Sequence, residues 1–350
     1  MILIGEKKES KLSKLFEVLK GKSSLLVLTH TNPDPDGMGA GVGLCYLVKE
    51  KLGIHCDFAY QGDIFRAENK AMVRVLSLDL KPFEKINIKN FDAFALVDSQ
   101  PGFGHTIINK NIFPNIVIDH HVSPSAGISI EVQFVDVRTN VGATSSIVTE
   151  YIMEADIPLP KGIATALFYG LSTDTAQLSR NVSELDEKVY LYLLPKVDRK
   201  ALHEISSPKV PVTYFRALDK ALDTAEIYGN VIFSTLRQTD NPEMVAEIAD
   251  FLLRLDGITW AICGGLFESK YYISVRAEEG QGKDAWLLLK DVLKEEGIFG
   301  GHGTVAGGRI PLVDTSSRSL KKLENRLKKA FLDALGERGR TPVKLIFKEK

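Results

Sequence analysis

Four short apolar segments of this chain each run directly into acidic or histidine residues. The segments are residues 25–28, 94–97, 116–118 and 167–171. They are followed, in chain order, by His30-x-Asn32-Pro33-Asp34-x-Asp36, Asp98-Ser99, Asp119-His120-His121 and Ser172-Thr173-Asp174-Thr175. Scattered charge would not repeatedly occur where a hydrophobic segment stops. Because the carboxyl ends of parallel strands meet at one edge of a sheet, we expect these side chains to converge there as ligands of a pair of divalent metal ions.

The first half of the chain alternates short apolar runs with segments of helical periodicity. Strands are predicted at 24–30, 55–60, 92–98, 115–119 and 130–136, and helices at 8–21, 37–52, 142–155 and 161–171. Strand–helix alternation predicts an α/β fold, in which a mostly parallel sheet carries helices on both faces. Ligands of such sheets bind at the carboxyl ends of the strands, where the acidic and histidine clusters lie.

A second, smaller α/β block follows a charged, helix-prone stretch that contains three prolines. Its predicted strands are 231–233, 259–265 and 271–277, with the last two paired, and its predicted helices are 242–255, 284–295 and 316–336. We expect a first domain over residues 1–190, a helical connector over 191–222, a second domain over 223–337 and a basic tail over 338–350.

The charge balance and the cysteine content restrict the class of function. The chain has 350 residues, and 44 basic against 45 acidic side chains give a formal net charge of −1. No strong global field attracts long nucleic acid, so short or mononucleotide-sized substrates are expected. Three cysteines without a CxxC pair indicate reduced thiols. No window approaches the ~20 apolar residues of a membrane span, and the N-terminal apolar run is too short for a signal peptide, so we expect a cytoplasmic protein without a membrane partner.

Together these motifs resemble the DHH/DHHA1 phosphoesterase superfamily. The shared order is His-x-Asn-Pro-Asp-x-Asp, a lone strand-end aspartate, Asp-His-His, a late Asp-Thr and, in the second domain, Gly-Gly-His. The combination is far more specific than any one of its parts, and it spans nearly the whole chain. Size and layout are most similar to the nanoRNase and pAp-phosphatase branch. The resemblance implies a metal-binding catalytic DHH domain followed by a substrate-binding DHHA1 domain.

The resemblance also implies the metal ligands. His30, Asp34 and Asp98 would hold the first ion; the second would be held by Asp36, Asp98, His120 and Asp174. Asp98 would bridge the two ions, and Asp34 and Asp36 would reach them from an extended turn. Histidine and carboxylate ligands suit two Mn²⁺ ions per chain, with Co²⁺ or Mg²⁺ as substitutes.

Catalytic roles follow for three residues by the same resemblance. Asp98 bridges the metals, Asp119 orients its histidine neighbours, and His121 contacts the phosphate and protonates the leaving oxygen. Ser145 and Ser146 are candidates for phosphate binding, but a helix cap is the favoured interpretation of both. Gly37 stands where the family commonly has alanine, an exchange expected to have no chemical cost.

The second domain is expected to bind the substrate. Gly300, Gly301 and His302 would present an imidazole and free backbone amides to a phosphate, and Arg276 fits the family's phosphate-binding arginine. Arg309 is a further, weaker candidate.

The predicted function is two-metal hydrolysis of phosphate esters through a metal-bridging hydroxide. Short oligonucleotides, cut from one end, and 3′-phosphoadenosine 5′-phosphate are the expected substrates, and the family suggests a homodimer. Three alternatives stay open: a cyclic or linear dinucleotide phosphodiesterase, an exopolyphosphatase or pyrophosphatase, and a non-catalytic nucleotide sensor. The Gly-Gly-His motif argues against the polyphosphatase, and the complete set of ligands argues against the sensor.

Overall fold

The chain folds into two compact units, Met1–Pro208 and Lys209–Lys350. The structure is a computed structural model that describes residues 10–103, 106, 112–122, 131–280 and 282–346. The domain boundaries predicted at residues 190 and 222 stay predictions. Among the described residues, every helix is too short or too polar to cross a bilayer.

The first unit contains a six-stranded parallel sheet. Its strands are β1 (Ser24–Leu28), β2 (His55–Tyr60), β3 (Leu80–Pro82), β4 (Ala93–Val97), β5 (Ile116–Asp119) and β6 (Phe134–Val137). Its helices are α1 (Lys11–Leu19), α2 (Pro35–Leu52), α3 (Ala67–Leu76), α4 (Thr144–Ala155), α5 (Lys161–Asp174), α6 (Glu184–Leu193) and α7 (Arg199–Ser206). The strand order is β3-β2-β1-β4-β5-β6, and all five pairings are parallel. The predicted fold class is therefore confirmed.

The central strand β1 is apolar throughout because both of its faces are covered. Leu25 and Val27 enter a large core with α1, α2, α4 and α5, whereas Leu26 and Leu28 enter a smaller core on the opposite face. Strands buried on both faces lose the alternation of polar and apolar residues that a half-exposed strand shows. The sequence 24–28 accordingly reads as a continuous hydrophobic run.

Helix α2 packs unusually close to its neighbours, which lets its first turn enter the centre of the unit. A Cβ atom at Gly39 would lie 2.7 Å from the carbonyl oxygen of Ala166 in α5, and one at Gly43 would lie 2.8 Å from the Leu167 side chain. Glycine is required at position 39, because a larger residue there would push the backbone of α5 away, whereas the Leu167 side chain could shift to accept a residue at position 43. The close approach brings the start of α2 beside the C-terminal end of α5.

The second unit contains a seven-stranded mixed sheet. Its strands are β7 (Glu226–Tyr228), β8 (Val231–Gln238), β9 (Trp260–Phe267), β10 (Lys270–Ala277), β11 (Ile298–His302), β12 (Val305–Pro311) and β13 (Val343–Lys344). Its helices are α8 (Val212–Thr224), α9 (Met244–Leu252), α10 (Ala285–Leu293) and α11 (Ser317–Leu335). The strand order is β11-β12-β10-β9-β8-β7-β13, with only β8 and β9 parallel among the described strands. Helices α10 and α11 cover one face, and α8 and α9 cover the other.

Candidate metal centre

The predicted site lies where the strand order of the first sheet reverses. In the sheet, β2 and β3 lie on one side of the β1–β4 pair, and β5 and β6 lie on its other side. The carboxyl ends of β1 and β4 thus leave a crevice, which is where ligands of open parallel sheets bind. His30 follows β1, Asp98 directly follows β4, and His120 and His121 directly follow β5. Asp98 has a φ of +54°, a left-handed backbone conformation that is costly for a residue with a side chain.

The other three predicted ligands come from helix ends, which corrects two expectations. Asp34 is the N-cap of α2 and Asp36 lies in its first turn, so the predicted extended turn is wrong for Asp36. Pro35 explains the difference, because its fixed φ favours the first position of a helix. Asp174 is the last residue of α5, which confirms the helix predicted over 161–171 but not the expected position of Asp174 at a strand end.

In the described part of the chain, three groups of possible ligand atoms lie here: Asp98, His120 and His121 form one, and the six predicted ligands make up the other two. His30, Asp34 and Asp98 form one cluster, and Asp36, His120 and Asp174 form another, each with its ligand atoms within 4.8 Å of one another. His120 Nε2 lies 3.0 Å from an oxygen of Asp174 and 4.0 Å from one of Asp36. The six residues predicted as ligands are therefore brought together by three strands and two helices.

Asp98 stands between the two clusters with one oxygen directed at each. Its Oδ2 lies 3.5 Å from His30 Nε2, and its Oδ1 lies 3.6 Å from His120 Nε2. The side chain is nearly fully buried, at 2% exposure. A carboxylate in this position has the geometry of a bridge between two ions.

The histidine hydrogen bonds fit metal coordination. His120 Nδ1 lies 3.2 Å from the carbonyl oxygen of Val141, and His30 Nδ1 lies 3.1 Å from that of Thr31. Since a carbonyl only accepts, both Nδ1 atoms carry the proton and both Nε2 lone pairs face carboxylates. His120 Nε2 is buried and has no hydrogen-bond partner among the described residues. The Nε2 lone pair and the carboxylate oxygens that it faces repel each other, and only a proton or a cation between them relieves this repulsion. The set of donor atoms therefore fits a divalent ion.

The pKa values of Asp36 and His120 reflect the excess of negative charge in the centre. Burial raises the pKa of Asp36 well above its usual range, and the negative charges of Asp98 and Asp174 add to the effect. Burial opposes a positive charge on His120, but the surrounding carboxylates, with Asp174 first, outweigh burial and raise its pKa to about 11. Asp36 and His120 therefore favour their protonated forms, and divalent cations would compete with these protons.

Asp119 and Gln100 hold His121 in one orientation. Asp119 Oδ1 accepts from His121 Nδ1 at 2.9 Å and from the His120 backbone N–H at 2.8 Å. Gln100 Nε2 donates to Asp119 Oδ2 at 2.7 Å and to the His121 carbonyl at 2.8 Å. Burial would lower the pKa of His121, but Asp119 and Asp98 outweigh it and raise the pKa to about 9. The sequence analysis missed Gln100, whose only signal is its place two residues after the strand-end Asp98.

The N-terminus of α4 also contacts this site, through a bond to Asp36 that the sequence did not indicate. The backbone N–H groups of Thr144 and Ser145 donate to the two oxygens of Asp36 at 2.7 and 2.8 Å. The Asp36 carboxylate thereby caps α4, whose N-cap residue Ala143 has no capping side chain. Ser145 and Ser146 lie inside the helix, so the preferred interpretation of these serines as helix caps is wrong.

Gly37 is less replaceable than the sequence analysis expected. A Cβ atom there would lie 2.6 Å from Thr29 Oγ1, 3.2 Å from Asp98 Oδ2 and 3.4 Å from His30 Nε2. Thr29 is fully buried, so its side chain has little room to move aside. Alanine at position 37 would therefore disturb the side chains that surround the first cluster.

All five predicted substrate residues lie in the second unit. Arg276 lies in β10 with 7% exposure and forms an ion pair with Asp250 of α9. Its guanidinium group also donates to Ser274 Oγ at 2.6 Å. The positive charge of Arg276 is thus already balanced within the unit, and its role in phosphate binding stays a prediction.

The glycine motif forms a β-hairpin with an open surface. Strand β11 of the hairpin carries Gly300, Gly301 and His302, and strand β12 carries Arg309. Gly300 pairs with Gly307, and a Cβ atom at Gly300 would meet nothing within 4 Å. The backbone is bare there, and Arg309 on the adjacent strand is exposed. Backbone amides of this kind are suited to binding anions, and the assignment to substrate stays a prediction.

The chain is similar to several known proteins. The profile described as "DHH family, N-terminal domain" matches residues 24–171. An uncharacterised protein of Methanocaldococcus jannaschii is 34% identical over 342 residues, which cover 96% of this chain and 69% of the relative. An exopolyphosphatase-related protein from Bacteroides fragilis has a TM-score of 0.69 at 16% identity, with coverage of 93% of this chain and 97% of that chain. RecJ from Thermus thermophilus in complex with Mn²⁺ has a TM-score of 0.53 at 13% identity, with coverage of 94% of this chain and 55% of that chain.

The solved structures, at these identities, share the fold alone, whereas the profile identifies the family and the archaeal relative shares nearly the whole chain. A parallel sheet that gathers aspartates and histidines at its switch point, together with the matched motifs, defines a metal-dependent phosphoesterase. The chain belongs to the DHH family. Its place in the nanoRNase and pAp-phosphatase branch stays a prediction.

Proposed function

We propose that this protein is a two-metal phosphohydrolase that cleaves short oligonucleotides or 3′-phosphoadenosine 5′-phosphate. The observation that carries the proposal is the position of Asp98, with one oxygen 3.5 Å from His30 and the other 3.6 Å from His120. A bridge between two ions would account for a buried carboxylate that faces two separate ligand clusters.

Each ion would have its own ligands besides Asp98. His30 and Asp34 would hold one ion, and Asp36, His120 and Asp174 the other. Histidine nitrogens and carboxylate oxygens favour Mn²⁺, with Co²⁺ or Mg²⁺ as substitutes. When bound, two such ions supply a nucleophile at neutral pH and a counter-charge for the transferred phosphoryl group.

His121 is the proposed general acid. Its Nδ1 is engaged with Asp119, which leaves Nε2 as the nitrogen for the substrate. The side chain is 39% exposed, more than that of His120 at 14%. As the bond between phosphorus and the leaving oxygen breaks, His121 would donate its proton to that oxygen. The Asp119 carboxylate stabilises the protonated ring before this step, and Gln100 keeps the carboxylate in place.

The substrate class is inferred from charge and from the second unit. A formal net charge of −1 provides little attraction for long polyanions, so small phosphate esters are favoured. The bare backbone at Gly300 and the exposed Arg309 support phosphate binding by the hairpin β11–β12. Replacement of His302 by alanine should then raise KM for the substrate while the Mn²⁺ content stays unchanged.

A substrate panel tests the proposed reaction. Purified protein with Mn²⁺ is offered phosphoadenosine phosphate, di- and pentanucleotides, cyclic dinucleotides and polyphosphate, and released products are quantified. We expect cleavage of the first two classes, and loss of this activity in Asp98→Asn but not in Asp79→Asn, a matched change at an exposed aspartate of the same unit. Cleavage of polyphosphate alone would favour the polyphosphatase, and cleavage of cyclic dinucleotides alone would favour the dinucleotide phosphodiesterase.

Metal content separates the enzyme from a nucleotide sensor. Elemental analysis after incubation with Mn²⁺ and desalting should give about two ions per chain, the number that a two-metal site requires. Less than one ion per chain, without turnover of any substrate on the panel, would instead indicate a sensor.

A further inference from the structure

The start of α4 holds two of the three carboxylates predicted for the second metal position, Asp36 and Asp98. Thr144 Oγ1 donates to Asp98 Oδ1 at 2.9 Å, and the Thr144 backbone N–H donates to Asp36 Oδ2 at 2.7 Å. A single residue therefore contacts one ligand through its side chain and another through its backbone. Thr144 is fully buried and stands outside the four ligand motifs.

The hydroxyl group fixes the rotation of the Asp98 carboxylate. The terminal torsion of an aspartate is broad, so a free carboxylate turns easily about its Cβ–Cγ bond. A bridge requires one orientation, with Oδ1 toward His120 and Oδ2 toward His30. The bond from Thr144 holds Oδ1 on the His120 side and thereby keeps Oδ2 on the other. Without it, both oxygens could turn to one ion, and the bridge would be lost.

The helix start is itself anchored by a buried aspartate. Asp186 of α6 accepts from the Gly142 backbone N–H at 2.8 Å and from Ser146 Oγ at 2.6 Å. These two groups stand on either side of Thr144 in the chain. A Cβ atom at Gly142 would lie 2.6 Å from Thr175 Cγ2, so the backbone before α4 packs closely against the residue that follows α5. Thr144 is thus held in place independently of Asp36 and Asp98.

We propose that Thr144 is a positioning residue, whose hydroxyl sets the bridging orientation of Asp98 and so determines occupancy of the second metal position. The inference rests on the proposed two-metal function. Groups that hydrogen-bond to metal ligands typically contribute a factor of about 10 to 100 in metal affinity. Because His30 and Asp34 do not depend on Thr144, the loss should fall mainly on one of two Mn²⁺ binding events.

The test compares Thr144→Val with Thr144→Ser and with Thr149→Val. Valine keeps the shape of threonine and the backbone bond to Asp36, whereas serine keeps the hydroxyl. Thr149 lies on the same helix, is also fully buried, and donates its hydroxyl to the Ser145 carbonyl, away from the ligands. Titration calorimetry measures each Mn²⁺ affinity, and electron paramagnetic resonance detects the coupled signal of two neighbouring Mn²⁺ ions.

We expect Thr144→Val to weaken the second Mn²⁺ by about 10- to 100-fold, to lose the coupled signal at equal Mn²⁺, and to lower kcat more than it raises KM. Thr144→Ser should restore all three, and Thr149→Val should resemble the wild type. A valine variant with two wild-type affinities and the coupled signal would overturn the inference and leave the two-metal function intact. A wild type that binds only one ion would overturn both. Thr144→Ala provides the same comparison if the valine variant does not fold.

Discussion

A single substitution at Asp98 should remove both metal sites at once. Asp98 faces the ligand cluster of His30 through Oδ2 and that of His120 through Oδ1. Asparagine has nearly the same shape, but its amide nitrogen is no metal ligand and its oxygen carries no charge. In contrast, His30→Gln alters only one cluster. The two variants therefore distinguish a shared ligand from two independent sites.

The expected rise in Tm on Mn²⁺ binding follows from the thermodynamic linkage between binding and folding. At a free Mn²⁺ concentration of about 100 times Kd, each site stabilises the folded protein by about 2.7 kcal/mol. For a unit of about 200 residues, that corresponds to a rise in Tm of roughly 5–11 °C per site. If Asp98→Asn weakens each site about 100-fold, each contributes only about 0.4 kcal/mol at the same concentration, or roughly 1–2 °C. His30→Gln should keep about half of the wild-type rise.

Differential scanning calorimetry with and without Mn²⁺ measures these shifts. Each variant is compared with its own metal-free Tm, because removal of a charge from Asp98 also changes the stability of the metal-free protein. Asp79→Asn serves as the control and should show the full rise. If Asp98→Asn retained as much of the Mn²⁺-dependent rise as His30→Gln does, Asp98 would serve one ion only, and the bridging argument would fail.

Three further outcomes are expected. Gly37→Ala should lower the free energy of unfolding by about 1–3 kcal/mol, because the added methyl group would contact the Thr29 hydroxyl. In urea denaturation, the double variant with Thr29→Ala should recover part of this loss. No recovery would contradict the steric explanation. The pKa of His121 is raised from 6.5 to about 9, so its protonation stabilises the folded protein fully below about pH 6.5, and this contribution is lost as the pH rises toward 9. The Tm of metal-free protein should fall over that pH range, and it should fall less in His121→Gln. An equal fall in both proteins would show that His121 is not the group whose protonation stabilises the fold. Phe331→Ala should cost the second unit about 3–5 kcal/mol, measured by the fluorescence of the two tryptophans, and a change under 1 kcal/mol would contradict the burial of this ring.

The sequence by itself determined the fold class and the identities of the clustered residues. Apolar runs without polar alternation indicate strands that are buried on both faces, and such strands occur in parallel sheets covered on both sides. The residues after three of these strands, His30, Asp98 and His120, then had to meet, because parallel strands share one carboxyl edge. These inferences need only local periodicity and a rule of topology.

The tertiary structure decided how these residues are oriented. Asp36 looked like part of a turn, but it caps α4, more than 100 residues away in the chain. The roles of Thr144 and Gln100 do not follow from their positions in the sequence, since their partners are set by the packing of α4 and by the rotation of buried carboxylates. Local sequence specifies which groups are available and where each element ends. Which oxygen faces which nitrogen depends on distances of a few ångströms between distant segments, and only the packed fold fixes those.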